Sequence, residues 1–197
     1  MNNKINLQQN YSVESKTQII TAVKIIQAGG VIAYPTEAVF GLGCNPFSES
    51  AVKKILQLKH RSVAKGLILI ASKWEQISNL IAPLKNSLLN KALLSWSSNP
   101  ITWTFPAAST APKWITGAYD SIALRITSHP IAKEICDLFE SAIVSTSANI
   151  EGEKPARSAK EVEKYFPFGI DFIVNADVGN LKQPTIIRDI LTDRILR

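Results

Sequence analysis

Apolar runs of a few residues alternate with segments of helical period along nearly the whole chain, and this alternation constrains the fold more than any other feature. Val31-Ile32-Ala33-Tyr34, Leu67-Ile68-Leu69-Ile70, Ile101–Phe105, Ile122–Ile126, Ala142–Ser145, Phe172–Val174 and Thr185–Ile187 read as strands, rich in residues that suit a pleated, half-buried surface. Between them Ile19, Ala22, Val23 and Ile26 recur at helical spacing, which predicts an amphipathic helix. Its start is expected at Ser15, with Gln18 completing a capping box, and its end at Gly29-Gly30. Ser48 can cap a second helix carrying Val52, Ile55 and Leu56. Leu84–Trp96 reads as a third, Pro130 opens one to Phe139, and a capping box at Ser158 opens one to Tyr165. Strands that alternate with helices point to α/β architecture, here a twisted mixed sheet flanked by helices. No internal repeat, low-complexity tract or linker divides residues 1–197, so one domain is expected.

Several strand ends carry polar turns, where α/β sheets tend to bind ligands. Pro35 cannot extend a ladder, so a turn is expected at Pro35-Thr36-Glu37. Gly41-Leu42-Gly43 is a place where backbone could approach a ligand, and Ser97-Ser98-Asn99-Pro100 reads as a turn. In the strand 101–105, strict alternation puts Thr102 and Thr104 on the face opposite Trp103. Arg125, a charge inside an apolar strand, is either an exposed edge residue or a cation facing a ligand.

The charge distribution narrows the chemistry. From Ala51 to Trp74 there are six Lys or Arg (Lys53, Lys54, Lys59, Arg61, Lys65, Lys73) and no Asp or Glu. The chain has 22 basic and 16 acidic residues, so removing those six leaves 16 against 16 and places the formal +6 in one segment. Such a patch favours an anionic partner. Lys53, Lys54 and Lys73 read as ordinary solvated lysines, whereas Lys59 and Arg61, just past a helix end, are the better candidates for ligand contact. The counterpart is Ser145-Thr146-Ser147-Ala148-Asn149, hydroxyls and an amide behind the apolar run Ala142-Ile143-Val144. Together the two stretches suggest a phosphate and nucleotide site.

Other classes are disfavoured. No run approaches the roughly 20 apolar residues of a membrane span, and the polar start Met1-Asn2-Asn3-Lys4 lacks the apolar block of a signal peptide, so a cytoplasmic protein is expected. Cys44 and Cys136 lie far apart and outside any Cys-x-x-Cys spacing, and read as reduced, partly buried thiols. His60 and His129 lack metal spacing and read as a surface neighbour of the site and a helix-start residue.

With these stretches identified, the chain closely resembles the YrdC/TsaC family of threonylcarbamoyl-AMP synthases, in its short single-domain form. The resemblance runs from about Ile19 to Arg197. It is carried by Tyr34–Gly43, the Lys59-x-Arg61 signature, Trp114-Ile115-Thr116-Gly117, Ala123-Leu124-Arg125-Ile126, the Ser147-x-Asn149 signature and Ile187-Arg188-Asp189, in order and at matching separations.

The resemblance implies a twisted α/β domain around a basic concave cleft. There ATP, L-threonine and bicarbonate would be joined into threonylcarbamoyl-adenylate with release of pyrophosphate, for modification of tRNA position 37. It further implies that Lys59 and Arg61 hold ATP phosphates and that Ser147 and Asn149 bind threonine and nucleotide. Thr36 would contact threonine, Thr102 the nucleotide and Arg125 the threonine carboxylate, with Thr185, Arg157 and Arg197 also lining the site. Mg²⁺ would accompany the triphosphate, held mainly by phosphate and water, since no Asp/Glu cluster forms a cage.

Two departures from the family pattern stand out. Trp96-Ser97-Ser98-Asn99-Pro100 replaces the usual Trp-Pro-Gly-Pro, and Glu151-Gly152 stands where Ser-Gly is usual, its carboxylate expected to point to solvent. The competing reading is an RNA-binding module using the same basic patch, although no aromatic and basic residues interleave on one strand. Direct contact with tRNA and hand-off to downstream tRNA-modification proteins remain compatible with the enzyme.

Overall fold

The structure, a computed structural model, describes residues 12–98 and 100–197. The polar N-terminal stretch 1–4 and Asn99 of the expected turn lie outside the described residues. Among those described there are six α-helices, and eight strands form a single mixed sheet.

The strands are β1 (Ile32–Pro35), β2 (Phe40–Gly43), β3 (Ile68–Ala71), β4 (Thr102–Pro106), β5 (Ser121–Ile126), β6 (Ile143–Ser147), β7 (Phe172–Ile173) and β8 (Ile187–Asp189). Their spatial order is β7-β1-β2-β6-β3-β5-β4-β8. The pairs β1/β7, β3/β5 and β4/β8 are parallel, and β1/β2, β2/β6, β3/β6 and β4/β5 antiparallel.

The helices are α1 (Val13–Gln27), α2 (Glu49–Leu58), α3 (Asn86–Ser98), α4 (Lys113–Thr116), α5 (Pro130–Phe139) and α6 (Ala159–Tyr165). Side chains of successive strand residues point to opposite faces, and the core divides accordingly. On one face Ile32, Tyr34, Ile70 and Ile143 pack against Ile19, Val23 and Ile26 of α1 and Ile131 and Ile135 of α5. On the other, Ala33, Leu69, Trp103, Leu124 and Val144 pack with Val52 and Ile55 of α2, Ala92 of α3 and Val162 of α6. Cys44 and Cys136 are fully buried free thiols within these layers.

Several sequence expectations shift. The true cap of α1 is Ser12, whose Oγ accepts the Ser15 N–H at 3.1 Å, so Ser15 lies inside the first turn. Gln18 instead spends its carbonyl oxygen on the Asn175 amide. Gly41-Leu42-Gly43 belongs to β2, which sequence reading missed because two glycines in four residues mask strand character. Helix α3 runs on through Ser98, into the expected turn. Thr185 precedes the last strand, which begins at Ile187.

α1 and α5 cover only part of their face of the sheet. Ile70, opposite Arg125 on β5, lies under those helices, while Ile68, opposite Ala123, borders open space. The uncovered part of that face is the floor of the cleft described next.

Candidate active site

A cavity of about 540 Å³ opens there, floored by Ile68, Ala123, Thr104 and Ile187. Its walls include five cations (Lys59, Arg61, Lys65, Arg125, Arg197) and two carboxylates (Glu37, Glu151). The two stretches singled out in the sequence, more than eighty residues apart, meet here.

How Lys59 and Arg61 diverge follows from the end of α2. Lys59 is its C-terminal cap, and His60 adopts a left-handed backbone with φ 51°, uncommon without glycine. The His60 N–H donates to Gln57 O at 3.1 Å and the Arg61 N–H to Leu56 O at 2.9 Å, the pair of bonds that closes a Schellman reversal. This reversal sends the two side chains different ways. Lys59 turns inward, only 3% exposed, and its Nζ donates to the carbonyls of Ser147 and, at 2.6 Å, Asn149. Arg61 turns along the rim and donates from Nη2 to Gly66 O at 3.0 Å, while its Nε is buried without a partner.

Lys59 therefore ties the end of β6 and the following loop to the end of α2. Asn149 completes the joint: its Nδ2 donates to Ile150 O at 2.9 Å and Glu153 O at 2.7 Å, and its Oδ1 lies 3.4 Å from Lys59 Nζ. The Asn149 amide thus braces its own loop, while the residue also lines the cavity. Burial, and next to it the Arg61 charge, push the Lys59 ammonium down to about 8 from its ordinary 10.5, with Glu151 pulling the other way.

This has a consequence for pH. Any activity that needs the Lys59 charge should lose kcat/KM above about pH 8, because that ratio reports ionisations of the free protein. Stability should move oppositely: between about 8 and 10.5 the unfolded chain holds this proton more fully than the folded chain, so this group's contribution to stability rises with pH. Activity and chemical denaturation measured across that range separate the two. Activity loss that tracks unfolding would contradict the assignment.

At the rim, Lys65 and Glu151 form an ion pair between the turn after α2 and the loop after Asn149. The departure at position 151 is thus charge-compensated across the mouth and not simply solvent-facing. The Lys65 hydrogen bond, ahead of the other basic groups, holds the exposed Glu151 carboxyl below its ordinary range. Of the other basic residues in the cationic segment, Lys53 pairs with Glu49 at 2.7 Å and Lys54 with Asp171 at 2.8 Å, at exposed positions; such pairs contribute little to stability.

At the other end of the cavity Arg125 is buried, not an edge residue. Its Nη2 lies 3.3 Å from Glu37 Oε2, and its Nη1 donates to Thr185 Oγ1 at 3.0 Å. Thr36 lines the same wall, its hydroxyl donating to Val39 O at 2.7 Å to close the β1–β2 turn. Arg197 reaches the cavity and donates to Thr185 O at 3.4 Å.

Two expected residues do not reach the cavity. Thr102 is fully buried behind Thr185, their hydroxyls 2.9 Å apart, so it supports Thr185 instead of facing the space. Arg157 is exposed just before α6, its N–H donating to Glu161 Oε2 at 2.6 Å, and is not among the lining residues. Conversely Glu37, Thr104, Thr116, Tyr119 and Ser121 line the cavity without having been singled out. Glu37, in the turn expected after an apolar strand, carried a readable signal; Thr104 was placed opposite Trp103 and Thr116 lay in the Trp114-Ile115-Thr116-Gly117 stretch, neither of them assigned to the site.

The chain is similar to several known proteins over most of its length. The family model described as "Telomere recombination", covering Sua5, YciO and YrdC, matches residues 24–197. A protein named threonylcarbamoyl-AMP synthase from Coxiella burnetii is 48% identical over 186 residues, which is 94% of this chain and 100% of that protein. The fold matches P. abyssi Sua5, in a crystal structure complexed with L-threonine, with a TM-score of 0.83 and 31% identity. That match covers 91% of this chain and 52% of Sua5. E. coli YciO shares the fold at a TM-score of 0.72 and 22% identity, over 89% of this chain and 84% of YciO. With two signature stretches meeting in one cavity and a family match over most of its length, the chain belongs to the Sua5/YciO/YrdC family.

Proposed function

We propose that this protein is a threonylcarbamoyl-AMP synthase: it condenses L-threonine, bicarbonate and ATP to threonylcarbamoyl-adenylate and pyrophosphate, for tRNA modification. The observation that carries the reading is the joint made by Lys59 with the Ser147 and Asn149 carbonyls, beside Arg61, in a cavity whose far wall holds a buried Arg125. It agrees with the name of the Coxiella burnetii relative.

The amine of threonine and bicarbonate give a carbamate, and a carbamate oxygen attacks the α-phosphorus of ATP, expelling pyrophosphate. The attacking atom belongs to the substrate, so the protein needs no nucleophile of its own. Its task is to place the reactants, keep water from the labile carbamate and stabilise charge on the phosphoryl oxygens. In this reading Arg61, a permanently charged planar fork, takes phosphate oxygens, with Lys65 nearby. Lys59 adds positive charge while holding the loop that forms the phosphate wall. Arg125, with Thr36 across the same wall, takes the threonine carboxylate. Mg²⁺ bound to the triphosphate would draw its ligands from phosphate and water, since the described residues include no group of three or more His, Cys, Asp or Glu able to hold a metal ion.

The test is pyrophosphate release by the pure protein with ATP, Mg²⁺, bicarbonate and each amino acid singly. Release that requires both threonine and bicarbonate is the expected result. Release indifferent to threonine would overturn the substrate assignment. Salt-sensitive RNA binding with no release under any amino acid would return the chain to the RNA-module reading.

A further inference from the structure

Glu37 is a carboxylate only 5% exposed, on the wall of the cavity opposite the phosphate joint. An isolated buried charge is costly, and this one is held from three sides. Its Oε1 accepts the Thr127 hydroxyl at 2.7 Å and the Ser128 N–H at 3.0 Å. Its Oε2 faces the Arg125 Nη2 at 3.3 Å, with both side chains less than a tenth exposed. Its backbone oxygen accepts the Leu181 N–H at 2.9 Å, and the preceding Thr36 O accepts Gly179 N–H at 2.9 Å.

Gly179 has no room for a side chain, since a Cβ there would lie 2.7 Å from the Glu37 carbonyl oxygen. The strap 179–185 therefore lies directly on the Thr36-Glu37 turn and delivers Thr185 to the second arm of Arg125. Burial raises the Glu37 carboxyl, but the Arg125 charge and the bonds from Thr127 and Ser128 outweigh it and hold the group ionised below its ordinary range.

We propose that Glu37 is a positioning residue for recognition of the amino-acid substrate. Anchored on Thr127 and Ser128, its carboxylate orients the Arg125 guanidinium together with Thr185. The Arg125 side chain lines the cavity, and its Nε is buried without a partner. This rests on the reading of Arg125 as the carboxylate anchor. Removing the negative charge leaves a buried guanidinium uncompensated and free to reorient, which weakens one substrate's site without touching the phosphate end.

Glu37→Gln keeps the size and an acceptor for Thr127 and Ser128 while deleting the charge. In the pyrophosphate assay its KM for threonine should rise about tenfold or more, with kcat and KM for ATP within about threefold of wild type. Glu37→Asp, charged but shorter, should fall between. An unchanged threonine KM, or an equal rise in both KM values as general loosening would give, overturns the proposal. Arg125→Gln separates the two levels. If it too leaves the threonine KM unchanged, the anchor reading fails; if it raises that KM while Glu37→Gln does not, only the role of Glu37 fails. Should Glu37→Gln not fold, Thr127→Val removes the bond that holds Oε1 and should raise the threonine KM about two- to fivefold, and no change in that variant also overturns the proposal.

Discussion

Alanine at Arg61 should lower pyrophosphate release by about 10² to 10³-fold while leaving the protein folded. The side chain is half-buried at the rim, and its recorded bonds run to the carbonyls of Lys65 and Gly66 on its own turn. Removing it frees the exposed Lys65 carbonyl and the part-buried Gly66 carbonyl and empties no core position, so the stability cost should stay near about 1 kcal/mol. Under the proposed function the catalytic cost is larger, because a guanidinium directed at the transferring phosphate would act where charge develops. Arg61→Lys should recover only part of the loss, since a point charge cannot reproduce a planar fork. Thermal melting beside the activity assay checks both halves. Near wild-type turnover in a folded Arg61→Ala protein would remove this residue from the chemistry.

Alanine at Lys59 behaves differently, and the contrast between the two variants tests the geometry. Lys59 is nearly inaccessible and satisfies carbonyls of Ser147 and Asn149 from the end of α2. Its loss removes the ammonium from the Asn149 carbonyl and leaves the Ser147 carbonyl with only the Asn149 N–H, a penalty of about 1–3 kcal/mol, and it loosens the loop, which then meets the helix end through the Glu151 N–H bond to the residue-59 carbonyl. Activity should therefore fall at least as far as for Arg61→Ala, accompanied by a lower denaturation midpoint. The stability change has an opposing part: a buried ammonium pushed down to about 8 is itself a strained occupant, so its removal recovers some of that cost. Activity lost with unchanged stability would mean that Lys59 serves only as a charge. Stability lost with intact turnover would make it only a structural tie.

The Lys59-x-Arg61 spacing shows how far the sequence could be read. That two cations stand past the end of a helix followed from the cap at Ser48 and the period of Val52, Ile55 and Leu56. That the intervening His60 reverses the chain through a left-handed conformation was not visible, because histidine carries no strong signal for positive φ. Without that reversal nothing indicates that one cation goes inward and the other along the rim. The same limit applies to Arg125: its place in an apolar strand was legible, and the choice between edge and interior was not.

Local patterning determined the strands at 122–126 and 142–145, the helix from Pro130 to Phe139, the Ser158 cap and the α/β class, because those rest on side-chain period, capping hydroxyls and proline geometry within a few residues. Tertiary structure alone decided that α1 and α5 leave part of the sheet uncovered, that Thr102 stands behind Thr185, that Arg157 stays outside, and that Glu37 meets Arg125. Each of these depends on contacts between segments tens of residues apart, set by strand order and by which buried charges find partners. No window of neighbouring residues contains that information.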